Sequence, residues 1–166
     1  MNKRYHFLFS LICAFSVIIG LLTACSEDSD CSMTARPFMV CNFYKYGANK
    51  NIILKDTLKE LSIKAIGTDS ILINQIENVH SFDSPLRYAK DTTAIILDFH
   101  GEKKDNDTIW VLHSNTPFFV SIDCGYQMRQ NIERIIEYSK NTLDSVYLRN
   151  SEANNYGKEN VQLILH

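Results

Sequence analysis

Thr92-Thr93-Ala94-Ile95-Ile96-Leu97-Asp98-Phe99-His100, then Gly101-Glu102-Lys103-Lys104-Asp105-Asn106-Asp107, then Thr108-Ile109-Trp110-Val111-Leu112-His113-Ser114 is the stretch that decides the fold class. Two short runs rich in β-branched and aromatic residues flank a polar, Gly-bearing break, which is the pattern of a hairpin between half-buried strands. If the loop folds symmetrically, Ile95, Leu97 and Phe99 share a face with Trp110 and Leu112, giving the single apolar face an antiparallel sheet lays on its core. In that arrangement His100 and His113 are not opposite one another and no third ligand accompanies them, so no metal site is expected.

Runs of the same kind recur outward in both directions. They predict strands over 38–45, 57–65, 70–75, 92–100, 108–114, 118–122, 145–149 and 160–165. Short strands at such spacing argue for an all-β chain, an antiparallel β-sandwich or small barrel. The stretch 126–138 reads two ways. Met128, Ile132, Ile135 and Ile136 fit helical spacing. Tyr126, Met128, Ile132, Ile136 and Tyr138 also alternate with Gln127, Arg129, Asn131, Glu133 and Glu137, as in a long strand or strand pair. Either such a strand or one helix packed on the sheet near 127–139 is expected.

The first residues give an address. Lys3 and Arg4 supply a positive start, and an apolar run extends from Phe7 to Leu22. That run is short against the ~20 residues a membrane-spanning helix needs, and it has the layout of a secretory signal. Leu22-Thr23-Ala24-Cys25 resembles the lipobox of bacterial lipoproteins, in which the signal is cut before the Cys and its thiol is acylated. That resemblance implies a signal peptide over 1–24 and lipid on Cys25. Ser26-Glu27-Asp28-Ser29-Asp30 forms an acidic tether over 25–30 and resembles an export signal of Bacteroidetes surface lipoproteins. Residues 31–166 are then one β-rich domain.

Removal of Lys3 and Arg4 with the signal leaves 15 basic against 19 acidic residues. No basic cluster marks a nucleic-acid surface, so nucleic acid is not an expected partner. Past the inner membrane the compartment is oxidising, and Cys31, Cys41 and Cys124 give one bridge and one leftover thiol. Cys31–Cys124 is the expected pair, because Cys41 lies inside an apolar run where a free Cys behaves as a small hydrophobe. Cys41–Cys124 is the alternative.

The residues also resemble a Bacteroidetes envelope lipoprotein family of unknown function. Cys31, the pair Arg36-Pro37, the strand Phe38-Met39-Val40-Cys41-Asn42-Phe43-Tyr44 and the element Cys124-Gly125-Tyr126 carry the likeness. Asp144-Ser145-Val146 and Glu159-Asn160-Val161 match its two closing strands. Arg36 stands where that family has Thr, and Cys41 is additional. The resemblance implies the envelope address and the all-β fold, and it carries no activity.

Five triplets pair Asp with Ser or Thr and then an aliphatic residue or Thr, beginning at Asp56, Asp69, Asp91, Asp107 and Asp144. They resemble an O-glycosylation signal of Bacteroidetes envelope proteins, which makes Thr57, Ser70, Thr92, Thr108 and Ser145 candidate sites. The same residues also favour turns by bonding the local backbone, so each triplet is equally read as the exit into a strand. Asp105, Asn106 and Asp107 offer oxygens, but the stretch lacks the Gly and the terminal Glu of a calcium loop and reads as a polar hairpin tip. No nucleophile elbow, zinc-protease helix or Gly-rich phosphate loop is present. No catalytic residue, cofactor or metal is expected.

The chain is therefore read as a non-enzymatic, lipid-anchored binding or accessory module of the outer membrane, facing the cell surface or the periplasm. Its expected partners are the membrane, through the lipid on Cys25, and another outer-membrane protein or a surface ligand. The alternatives are a structural subunit of an outer-membrane complex and a small envelope hydrolase acting on polysaccharide or peptide.

Overall fold

The structure is a computed structural model that describes residues 36–166 apart from 51, 69 and 101–105. The expected signal peptide, acidic tether, Cys25 and Cys31 lie outside the described residues.

Among the described residues ten strands run in chain order: β1 Phe38–Tyr46, β2 Ile53–Lys55, β3 Leu58–Ala65, β4 Ile71–Val79, β5 Ser81–Pro85, β6 Thr92–Asp98, β7 Asp107–Ser121, β8 Gly125–Tyr138, β9 Leu143–Leu148 and β10 Val161–Leu165. They form two five-stranded sheets. One has the order β2-β1-β10-β9, with β5 also paired to β1, and the other has the order β4-β3-β6-β7-β8. Neither closes into a barrel, so the sandwich of the two expected folds is the one adopted. β1 and β10 pair in parallel and every other pair is antiparallel.

The chain passes between the sheets four times, at β2–β3, β4–β5, β5–β6 and β8–β9, and the first two of these corners are pinned to one residue. The Phe43 amide donates to the His80 carbonyl at 3.0 Å, and the Phe43 carbonyl accepts from the Asp56 amide at 2.9 Å. The Phe43 side chain is fully buried and meets Phe82 and Phe99 at ring-centroid distances of 5.6 and 6.4 Å. Met39, Cys41 and Phe43 from β1 face Leu61 and Ile63 from β3, Ile95 and Leu97 from β6, and Leu163 from β10 in one core. Each such large side chain contributes roughly 1.5–3 kcal/mol by leaving water. β10 is buried at every position because it is central in its sheet.

Two sequence expectations are corrected. The β6–β7 hairpin forms, but Ile95 pairs directly with Ile109 and Thr93 with Val111. Ile109 and Val111 therefore share the core face with Ile95 and Leu97, while Trp110 lies on the outer face, exposed. A one-residue change of register exchanges the faces of a strand. The two strands expected over 108–114 and 118–122 are one strand, β7, and the short strands β2 and β5 were not anticipated.

Residues 126–138 form the long strand that was one of the two expected readings, and not a helix. Tyr138 pairs with Ile109, Ile135 with Val111 and Ile132 with His113, with bulges at the two steps between. Each bulge adds one residue to β8, so inward positions recur every three residues instead of every two. Ile132 is buried, and Ile135 and Tyr138 pack on the core. The helical look of this segment is a strand with two insertions.

Candidate functional site

β6 stops pairing with β7 at Leu112, opposite Thr92. Beyond that point β7 continues to Ser121 with β8 as its hydrogen-bonded neighbour. On the other side of β8, residues 151–153 reach along as far as Gln130, where the Ala153 amide donates to the Gln130 carbonyl at 3.0 Å. From Thr116 and Arg129 outward the hairpin is a two-stranded ribbon, about 20 Å long at ~3.4 Å per residue.

A polar clamp holds its base. The buried Gln130 donates from Nε2 to Asn115 Oδ1 at 2.7 Å. Asn115 Nδ2 donates in turn to the carbonyls of Arg87, Tyr88 and Lys90 at 3.0, 3.1 and 2.7 Å. This fixes where the ribbon leaves the sheet.

The tip carries exposed aromatic side chains on both faces. Phe118 is 36% exposed, Phe119 56%, Tyr126 74% and Ile122 93%. Phe119 and Tyr126 pair across the strands and meet edge to face at 5.4 Å between centroids. On the opposite face the Arg129 guanidinium lies 5.4 Å from the centre of the Phe118 ring. Gly125, at φ 65°, closes the turn, a conformation that Gly adopts without a Cβ penalty. The Cys124 amide donates to Ser121 Oγ at 3.0 Å. The sequence reading placed 118–122 in an ordinary strand. The signal that marks this tip is Phe118, Phe119 and Val120 in succession, an apolar run that does not alternate, beside a turn.

A cleft of about 530 Å³ opens where residues 88–91 pass β7, with Asp91, Asn115 and Glu133 in its lining. His113 also lines it but is buried. Its Nε2 lies 2.8 Å from Thr93 Oγ1, and that hydroxyl oxygen accepts the Arg87 amide at 2.9 Å. Nδ1 has no hydrogen-bond partner among the described residues. Loss of hydration lowers the His113 pKa below its ordinary value, so the ring is neutral near pH 7. Thr93 is equally buried, and the pair ties residue 87 to the sheet. A second cleft, of about 590 Å³, has Lys45, Lys50, Asp144 and His166 in its lining. Lys45 there pairs with Asp56 at 2.7 Å, and the Ser145 hydroxyl, bonded at 2.6 Å, holds the Asp144 carboxyl below its usual range.

The five candidate glycosylation residues do stand at strand starts, as the turn-exit reading expects. Thr57 and Ser70 directly precede β3 and β4 and are exposed, whereas Thr92, Thr108 and Ser145 are half-buried near the starts of β6, β7 and β9. They are dispersed over both sheets and form no joint site. Asp107 is the exception among the acids that precede them. It is fully buried, with Oδ1 accepting from the Ser139 hydroxyl and the Asn141 amide and Oδ2 from the amides of Thr142 and Leu143. It ties the β8–β9 connection to β7 and is no part of a solvent-facing hairpin tip.

Cys41 is free and fully buried, which overturns the alternative Cys41–Cys124 pairing. Burial first, then the charges of Asp83 and Glu159, push its thiol well above the usual range. Asn160, from the closing Glu-Asn-Val element, is a structural peg. Its Oδ1 accepts the Val40 amide at 2.9 Å, and its Nδ2 donates to the carbonyls of Asn150 and Glu152.

No curated protein and no solved structure matches the chain. The match that places it runs from within β3 to the last strand: residues 60–165 fit the family of unknown function DUF6452, and the chain belongs to that family.

Proposed function

We propose that this protein is a lipid-anchored bacterial envelope protein whose work is binding. Lipid on Cys25 fixes it to the outer membrane, and the β-sandwich recognises another outer-membrane protein through a sheet edge. Bacteroidetes origin, display at the cell surface and glycans on the exposed Thr57 and Ser70 belong to the same reading and rest on sequence resemblance. A Cys31–Cys124 bridge also belongs to it, because the buried, free Cys41 is removed as a competitor.

The observation that carries the binding role is β2. It is a three-residue edge strand paired to β1. Ile52, Ile53 and Leu54 are exposed in succession there, where edge strands are ordinarily blunted by charge. An extended segment added to this edge gains main-chain hydrogen bonds and covers the aliphatic side chains.

The test places a photo-cross-linking residue at Leu54 in the full-length protein in its native membrane, with Tyr156 as the control position. A single outer-membrane protein cross-linked from 54 and absent from 156 supports the reading. Equal yields from both positions, or none from 54, refute recognition through this edge.

A further inference from the structure

The apolar end of the β7–β8 ribbon is the exposed feature that the edge-strand reading leaves unused. We infer that this tip is a membrane-docking element: Phe118, Phe119, Ile122 and Tyr126 seat in the headgroup layer of the bilayer that holds the lipid on Cys25. The inference rests on the lipoprotein reading above and adds to it the orientation in which the domain sits.

Three observations carry it. The first is composition. Two Phe rings and an Ile side chain are exposed beside a Tyr whose hydroxyl favours water, with Arg129 stacked at the ribbon's shoulder. Aromatic side chains with a polar end concentrate at the membrane–water boundary, and an Arg there keeps its head in water while its stem lies along apolar surface. The second is shape. A ribbon with an exposed aromatic side chain on each face has no inner side to lay on a sheet, and two paired strands alone are marginally stable in water. Insertion into a headgroup layer covers both faces together, whereas a flat protein surface covers one.

The third is reach. Eleven residue steps lead from Cys25 to Arg36, a span of at most ~40 Å when fully extended, so the domain stays within that distance of its own membrane. The proposed Cys31–Cys124 bridge shortens this sharply. Six residues reach ~20 Å and the bridge adds about 5.5 Å between α-carbons. Cys124 lies between Ile122 and Tyr126 in the tip itself. Lipid and tip are then two attachments a few residues apart, and the second acts at the high effective concentration the first provides.

The experiment uses the full-length protein purified from membranes, with acylation of Cys25 verified by mass spectrometry. It is reconstituted into vesicles of phosphatidylethanolamine and phosphatidylglycerol with brominated acyl chains. Trp110 is the single tryptophan, so Trp110→Phe gives a dark background. Into it go Ile122→Trp or Tyr126→Trp at the tip and Tyr147→Trp on β9 as the control, each retained only with parental thermal unfolding. The expected result is a blue shift and loss of most of the emission at both tip positions, with the control unchanged. Water-exposed, unquenched tip emission on acylated protein overturns the inference. Blue-shifted but unquenched emission shows cover by the chain itself or by a second copy and overturns it equally. A Cys25 found without lipid removes the lipoprotein reading, and this inference with it.

Discussion

Replacing Asp107 by Asn separates the two meanings the Asp-Thr-Ile triplet can have. Both carboxylate oxygens are in use: Oδ1 accepts the Ser139 hydroxyl at 2.7 Å and the Asn141 amide at 2.9 Å, and Oδ2 accepts the amides of Thr142 and Leu143 at 2.7 Å each. The side chain is fully buried. An amide in its place keeps its oxygen for the Thr142 and Leu143 amides and turns its NH2 toward the Ser139 hydroxyl, which can accept, and the Asn141 amide, which cannot. One N–H donor then loses its partner, at roughly 1–3 kcal/mol, and the bonds that remain lose the strength the charge gave them. The expected loss is about 2–4 kcal/mol, a large part of the ~5–15 kcal/mol that holds a domain folded. Asp107→Ala strands all four donors and costs at least as much.

Asp56→Asn is the matched control. Asp56 opens the triplet before Thr57 and pairs with the exposed Lys45 at 2.7 Å, an arrangement that contributes ~0–1 kcal/mol. A modification signal treats the two triplets alike, whereas the hydrogen-bond geometry separates them several-fold. The assay is urea unfolding of the full chain followed by Trp110 fluorescence, comparing midpoints at constant slope. Asp107→Asn within ~1 kcal/mol of the parent, or no less stable than Asp56→Asn, would refute the reasoning, because neutral satisfaction of those donors would then suffice.

Three further outcomes are expected. Cys41 stays unalkylated by iodoacetamide in the folded protein and reacts once urea unfolds it, since burial disfavours its thiolate; modification at the rate of a free thiol would contradict the packing around β1. His113 takes up a proton on unfolding, because its folded pKa lies below the ordinary ~6.5. Stability therefore falls as pH drops below about 6.5 and is flat with respect to this group above it; His113→Leu removes that part of the slope in urea midpoints taken at several pH values, and an unchanged slope would show that another group is responsible. Non-reducing digestion yields a Cys31–Cys124 linked peptide, and reduction lowers stability by as much as the roughly 4–5 kcal/mol that a loop of this length gives in the chain-entropy account; separate peptides before reduction would exclude the bridge.

Which parts of this fold were legible follows from one property of strands, the parity of side-chain direction. β1 lies within the apolar run 38–44, which gave the strand but not its inward face, and Met39, Val40, Cys41 and Phe43 are all buried there. Where a residue is inserted or a register is offset by one, the same logic gives the opposite answer. The β6–β7 pairing was legible, but its inward face was misassigned, because the length of a turn does not reveal which residues oppose one another. In β8 two bulges convert a period of two into a period of three, and Ile132, Ile135 and Tyr138 imitate a helix.

Asp107 was misread for another reason. Its partners lie some thirty residues ahead, and no local pattern reveals that an acid at a loop end will accept backbone amides from a distant turn. The ribbon tip combines both difficulties. Nothing within 118–126 states that the strands on either side have already ended, yet it is the stop of β6 at Thr92 and of the 151–153 segment at Gln130 that leaves those aromatic side chains in solvent. Exposure of the tip is thus a property of its neighbours' lengths. Extending either neighbour would convert the same residues into ordinary sheet surface, which is why the candidate site became visible only with the topology.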